Sequence, residues 1–296
     1  MSRQNTAYST ELLPLSGTRV LSLALNLPGP AALVRLGAMG ATCIKAEPLA
    51  GDPMDLYAKA AYAAMHEGLT VLALNLKTEA GQQALHTELA QADVLITSFR
   101  PSALVKLGLS WPALHAQYPQ LSMVAIVGAP GERADEPGHD LTYQADAGLV
   151  TGLDLPATLF ADMGGALMAS EAVLKSVLLS KRRGQGVFFE VALSEASGFL
   201  ALPRAWGLTT PEGTVGGAHA GYRVYPCQDG RVALAALEPH FAAPLCLAAG
   251  VALTDMRVMF EPATRHTLAA FFLTQTRQAL DKLAAEKDIP LHTLPP

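Results

Sequence analysis

Three ionisable positions lie where a chain places reactive groups. His139 and Asp140 fall in Pro137-Gly-His-Asp-Leu-Thr-Tyr143, at the end of a loop rich in Gly, Pro and charge that runs from 128 to 140. A histidine there can act as a base at neutral pH, or it can sit on the surface beside an Asp140 that caps the next helix. Asp162, in Phe160-Ala-Asp-Met-Gly-Gly165, stands at the start of a long apolar helical pattern. It can cap backbone N–H groups, or it can face a substrate admitted by the small Gly164 and Gly165, whose N–H groups would meet a developing oxyanion. Glu238 directly follows an apolar strand in Ala236-Leu-Glu-Pro-His240 and reads as an exposed strand-end acid or as a reactive carboxylate. Leu27-Pro-Gly-Pro30 is a turn, either structural or close enough to touch a ligand.

The elements that must position these groups alternate. From Arg19 an apolar run reads as a strand, the Pro28 to Pro30 break as a tight turn, and Ala31 to Met39 as an amphipathic helix closed by Gly40. Strands follow at 41–46, 69–74, 93–97, 121–127 and 187–191, with helices at 78–91, 111–117 and 161–179 and another from Ser194. Apolar strands alternating with helices predict a doubly wound, mostly parallel, Rossmann-like α/β sheet, whose sites lie at the carboxyl ends of the strands. The helix from 161 stops at Lys181-Arg-Arg-Gly184, a basic last turn followed by Gly. The texture then changes to Gly, Thr and Pro. We read a flexible leader over 1–10, a large α/β domain over 11–208, a linker over 209–221 and a smaller α+β domain over 222–296. The small domain contains a hairpin at Cys227-Gln-Asp-Gly230 and ends in an exposed tail, 290–296.

Composition excludes several classes of function. The 296 residues suffice for one large or two ordinary domains, at roughly 100 to 200 residues each. A net charge of −5 lacks the basic excess of a nucleic-acid surface, and apolar runs such as 232–237 fall short of the ~20 residues of a bilayer span. The expectation is no nucleic-acid and no membrane partner. Residues 1–10 have no apolar core of a secretory signal. Cys43, Cys227 and Cys246 are odd in number and lack metal-ligand spacing, which suits buried, reduced thiols in a cytoplasmic protein with no metal site. No P-loop, Gly-x-Gly-x-x-Gly after the first strand, Gly-x-Ser-x-Gly elbow or His-Glu-x-x-His helix is present.

An ordered set of motifs resembles the family III CoA-transferases, of the CaiB/BaiF type, which include the α-methylacyl-CoA racemases. It runs through Leu15-Ser-Gly-Thr-Arg-Val-Leu-Ser-Leu23, Pro28-Gly-Pro30, Leu36-Gly-Ala-Met-Gly-Ala-Thr-Cys-Ile-Lys-Ala-Glu-Pro-Leu-Ala-Gly-Asp-Pro53 and Leu74-Asn-Leu-Lys-Thr-Glu-Ala-Gly81. Ala92-Asp-Val-Leu-Ile-Thr-Ser-Phe-Arg-Pro101, Gly138-His-Asp-Leu-Thr-Tyr143, Asp162-Met-Gly-Gly165 and Ala236-Leu-Glu-Pro-His-Phe241 continue it in order.

The resemblance implies an enzyme whose substrate is an acyl-CoA thioester, with coenzyme A entering as part of the substrate and no permanently bound cofactor. Asp162 matches the catalytic aspartate, which attacks the thioester in the transferases and is an acid/base partner in the racemases. His139 matches the racemases' catalytic histidine and Glu238 a glutamate they bring from the small domain. Asp140 and Tyr143 match residues that orient the histidine and line the pocket, Arg100 a phosphate-contacting arginine, and Lys77 a segment where a second cation helps. The expected reaction is α-proton exchange on a 2-methylacyl-CoA by His139 and Asp162, with N–H groups of Met163 to Gly165 stabilising the enolate. The alternatives are CoA transfer between carboxylic acids through Asp162, which needs a close, desolvated carboxylate, and a shortened, non-catalytic paralogue. Two departures bear on this. Met65-His-Glu-Gly-Leu-Thr70 stands where the family carries an Arg-rich phosphate grip. The family's small domain also returns to the large one beyond the point matched by the end of this sequence, so a closely packed or intertwined homodimer is expected with a more easily separated interface.

Overall fold

Alternation along the strands decides the architecture. In the computed structural model, which describes residues 13–296, Val20, Val94, Ile96, Val124 and Ile126 point to one face of a sheet and Leu21, Leu95, Met123 and Ala125 to the other. Both faces are therefore apolar and both are covered. The expected leader at 1–10 lies outside the described residues. The first unit comprises β1 (Arg19–Ser22), α1 (Pro28–Ala38), β2 (Thr42–Glu47), α2 (Pro53–Tyr57), α3 (Lys59–His66), β3 (Thr70–Ala73), α4 (Glu79–Leu89) and β4 (Val94–Thr97). It continues with α5 (Pro101–Lys106), α6 (Trp111–Gln117), β5 (Ser122–Val127), α7 (Asp140–Asp146), α8 (Phe160–Arg183), β6 (Phe188–Ala192) and α9 (Leu193–Leu200).

All five ladders are parallel, in the order β3-β2-β1-β4-β5-β6. This is the doubly wound sheet expected from the sequence, with its topological switch between β1 and β4. Leu33 and Leu36 of α1 pack with Ala169, Val173 and Val177 of α8 on one face, and Leu85, Leu89, Leu104 and Leu114 of α4 to α6 fill the other. Helix α8 is long and apolar enough to cross a membrane by length and composition, but its apolar side is packed into this core. It ends at Gly184, whose φ of 70° is the left-handed cap anticipated from the Arg-Arg-Gly stop.

The division between the two compact units falls between Ala201 and Leu202, ahead of the expected domain end at 208. The second unit contains α10 (Leu202–Ala205), β7 (Tyr222–Cys227), β8 (Gly230–Ala235), α11 (Pro239–Ala249), α12 (Pro262–Leu273), α13 (Arg277–Lys287) and β9 (Leu291–Leu294). The stretch expected as a linker is folded on itself, with Gly213 donating to Thr210 at 2.8 Å and Gly216 to Gly213 at 3.0 Å. The hairpin is present, with Gln228 and Asp229 as its loop and Gly230 already paired with Cys227. The expected exposed tail at 290–296 is corrected: Leu291–Leu294 is the third strand of the antiparallel sheet β7-β8-β9, paired along β8 from Leu234 to Arg231. All three cysteines are unpaired and buried, as expected.

One buried group has no counterpart in the apolar pattern. Lys45, in the middle of β2, has a fully buried side chain whose ammonium lies 2.9 Å from Glu47 and 2.5 Å from Asp52. Removing one member of such a set strands the remaining charges. Lys45→Met is expected to lower unfolding free energy by about 3–5 kcal/mol in a denaturant titration; a loss below about 1 kcal/mol would mean the carboxylates find water or other partners.

Candidate active site

The site is assembled where two helices begin beside each other. His139 is the residue before α7; its N–H donates to Thr142 Oγ1 at 3.1 Å, and that hydroxyl donates to the His139 carbonyl at 2.7 Å. This closed first turn fixes the backbone and leaves the residue exposed. Asp140 is buried and turns away from it. One carboxylate oxygen accepts the Asp162 N–H at 3.0 Å and the other accepts from Gln144 Nε2, which also donates to the Thr158 carbonyl at 3.1 Å. Asp140 therefore ties the start of α7 to the start of α8, satisfying one of the open N–H groups of that helix. Its hydrogen bonds go to the Asp162 backbone and to Gln144 rather than to His139.

Asp162 sits in the first turn of α8 rather than capping it, and its side chain carries no hydrogen bond among the described residues. Burial, then the neighbouring Asp140 charge, push its carboxyl from 3.8 up to about 6, while His139 opposes them. His139 and Asp162 are thus within electrostatic reach of each other. So is Tyr143, raised by burial and by Asp162 and opposed by Arg100. Tyr57, at the end of α2, is likewise raised by burial, Asp52 and Asp162.

The two glycines do something other than expected. The Met163 N–H donates to the Leu159 carbonyl at 3.0 Å, and Gly164 and Gly165 lie inside the helix, where their N–H groups belong to its own ladder. A Cβ on Gly165 would lie 2.2 Å from Leu193 Cδ2 and one on Gly164 3.0 Å from Leu200 Cδ1. Both glycines let α9 approach α8. The oxyanion role expected for the N–H groups of Met163 to Gly165 is corrected to helix packing.

Arg100 follows β4 and with Tyr143 lines a cavity of about 150 Å³, bounded also by Pro28, Phe99 and Gly128. These are the carboxyl ends of β1, β4 and β5, as the switch-point rule requires. Lys77 lines a second cavity of about 480 Å³, apolar through Leu25, Leu74, Leu76 and Leu107. Phe99 borders both cavities, so they adjoin. Glu238 lies exposed just before α11 in the second unit. Gln144 and Tyr57 were not anticipated. Gln144 stands four residues after Asp140, the spacing that puts both on one helical face, whereas nothing in the local pattern marks Tyr57. Glu47, Asp52 and His66 have donor atoms within 4.8 Å of one another, the kind of trio that can hold a metal, but the Lys45 ammonium occupies their midst.

Comparison with known proteins identifies the family. The profile of CoA-transferase family III matches residues 15–294, and the chain belongs to that family. Cinnamoyl-CoA:phenyllactate CoA-transferase of Clostridium sporogenes is 31% identical over 203 residues, 62% of this chain and 49% of that protein. Alpha-methylacyl-CoA racemase of Mus musculus is 28% identical over 255 residues, 80% of this chain and 65% of that protein. The chain thus spans between half and two thirds of the length of these relatives. The crystal structure of a hypothetical protein (Rv3272) from Mycobacterium tuberculosis superposes with a TM-score of 0.79 at 22% identity, covering 94% of this chain and 84% of that one, and has the same fold.

The raised Asp162 carboxyl has a consequence for stability. Between pH 3.8 and about 6 the folded protein holds a proton there that the unfolded chain has released, so this group's contribution is complete below pH 3.8 and is lost as pH rises through about 6. Asp162→Asn is therefore expected to stabilise the protein near pH 8, by on the order of 1–2 kcal/mol after allowance for solvent screening, and not below pH 3.8. Denaturant titrations of both proteins at the two pH values check this; an equal effect at both would refute the desolvated carboxyl.

Proposed function

We propose that the protein binds an acyl-CoA thioester and exchanges the proton α to its carbonyl, inverting a 2-methylacyl-CoA or a related thioester. The observation that carries this reading is the pairing of the exposed His139 imidazole with a partly desolvated Asp162 carboxyl held near 6. A thioester α-proton is weakly acidic, so inversion needs a base on one face and a donor on the other, each able to change protonation near neutral pH. His139 removes the proton from one face and Asp162 delivers one to the opposite face. The positive end of α8 lies beside the enolate formed between these steps. Arg100 is available to a phosphate, and the apolar cavity with Lys77 at its wall suits the remainder of coenzyme A. The match to the mouse racemase extends over 80% of the chain, which is consistent with this assignment.

CoA transfer is the second reading, favoured by the same desolvated Asp162 and by the similarity to a CoA-transferase. There the Asp162 carboxylate attacks the thioester carbonyl, forms a mixed anhydride and expels the CoA thiolate, which takes up a proton; His139 only lines the pocket. A 2-methylacyl-CoA followed by NMR in deuterated buffer, with and without succinate, separates the two. Deuterium is expected at the α-carbon without succinate, to be reduced at least ~100-fold by His139→Ala and abolished by Asp162→Asn. A new thioester formed only with succinate and surviving His139→Ala would establish transfer instead.

The reading includes a cytoplasmic homodimer. Three unpaired, buried cysteines are consistent with a reducing compartment. Leu167, Phe199 and Leu200 of α8 and α9 are exposed and flank an apolar hollow of about 380 Å³, a surface suited to a second copy. Light scattering at micromolar concentration is expected to give the dimer mass; a monomer would contradict it.

A further inference from the structure

The proposed chemistry leaves a set of buried charges unused. Besides its two carboxylates, Lys45 Nζ lies 2.8 Å from His66 Nε2. The other ring nitrogen, Nδ1, lies 2.6 Å from the Tyr62 carbonyl, which can only accept. Nδ1 therefore carries the proton, and Nε2 is an acceptor for the ammonium. The ammonium thus donates to Asp52 and His66 and is ion-paired with Glu47 at 2.9 Å.

What this fixes is Asp52. Its two oxygens accept the Asn26 N–H at 3.1 and 3.0 Å, and one accepts the Met54 N–H at 2.9 Å. Asn26 has a φ of 63°, a left-handed turn conformation that asparagine tolerates better than most side chain-bearing residues. Tyr57 holds it from the other side, its hydroxyl donating to Asn26 Oδ1 at 3.2 Å. The residue before Asn26, Leu25, lines the larger cavity, and Pro28, two residues after it, lines the smaller one. Glu47 also borders the larger cavity.

We propose that Lys45 and His66 are positioning residues for thioester binding: through Asp52 they hold the Asn26 turn that forms the wall between the two cavities. This rests on the reading of those cavities as the coenzyme A site. His66, which stands in the segment where the family resemblance implied an arginine grip, then serves the ligand from below instead of contacting its phosphates.

The test is calorimetric titration of coenzyme A into the full chain, with thermal unfolding recorded for every variant. His66→Phe keeps a ring to stack on Tyr62, now at a centroid separation of 3.9 Å, but removes the acceptor for Lys45. It is expected to raise the CoA dissociation constant by about tenfold, and His66→Gln, which returns an acceptor oxygen, to recover it to within about threefold. Tyr57→Phe loosens the same turn from an exposed position and is expected to weaken binding by about threefold without a change in unfolding temperature. Wild-type binding of CoA with both Phe variants unchanged would overturn the positioning role and leave the proposed function standing. Absence of CoA binding by the wild type would overturn the reading of the cavities and this proposal with it.

Discussion

A sheet ordered β3-β2-β1-β4-β5-β6 has one seam where consecutive connections leave in opposite directions, between β1 and β4. At its carboxyl end no helix crosses over, so backbone is left open to a ligand. In the first unit the loop after β1 supplies Leu25 and the start of α1 Pro28, the loop after β4 supplies Phe99 and Arg100, and the end of β5 supplies Val127 and Gly128. The two apolar faces stabilise the sheet and are indifferent to chemistry. The seam concentrates it.

Alternation made the sheet legible, because Val94-Leu95-Ile96 and Val124-Ala125-Ile126 state in three residues each that both faces are buried. Strand alternation could not show α3, a short helix over Lys59-Ala-Ala-Tyr-Ala-Ala-Met-His66 that buries no residue fully. Nor could it show β9, a half-buried strand hemmed by Pro290 and Pro295 that owes its existence to pairing with β8, a non-local partner. The family resemblance found Asp162, His139, Arg100 and Tyr143, which the structure brings into one electrostatic neighbourhood. The reading of Gly164 and Gly165 from their local sequence took them for oxyanion donors, because a glycine that admits a substrate and one that admits a neighbouring helix are the same residue until the neighbour is known. Lys45 is the clearest illegible position: a lysine in a strand reads as a solvent-facing residue, and only Asp52 and His66, from elsewhere in the chain, make its burial tolerable.

Asp52 and Asp162 have opposite tasks because their hydrogen bonds differ. Asp52 accepts backbone N–H groups and an ammonium, and it holds a turn. Asp162 receives no such donor, and its own N–H is taken by Asp140, whose charge further disfavours ionisation. Asp140 thus works twice on the same residue: its hydrogen bond holds the Asp162 backbone at the start of α8 and its charge raises the carboxyl's affinity for a proton. A group so placed is available to chemistry because nothing structural depends on its charge.

That asymmetry bears on the choice between the proposed reactions. Desolvation sharpens Asp162 for either task, since a dry carboxylate is both a stronger base and a stronger nucleophile. The carboxyl alone therefore cannot discriminate inversion from transfer. His139 can, because transfer has no obligatory need of a second proton carrier, whereas inversion cannot complete without one on the opposite face of the enolate. The closed first turn of α7 fixes the His139 backbone through Thr142, and Asp140, bound to α8, couples that turn to the carboxyl's own helix. Under the proposed inversion this link would hold His139 and Asp162 in register, and under the proposed transfer it would serve only to shape a pocket.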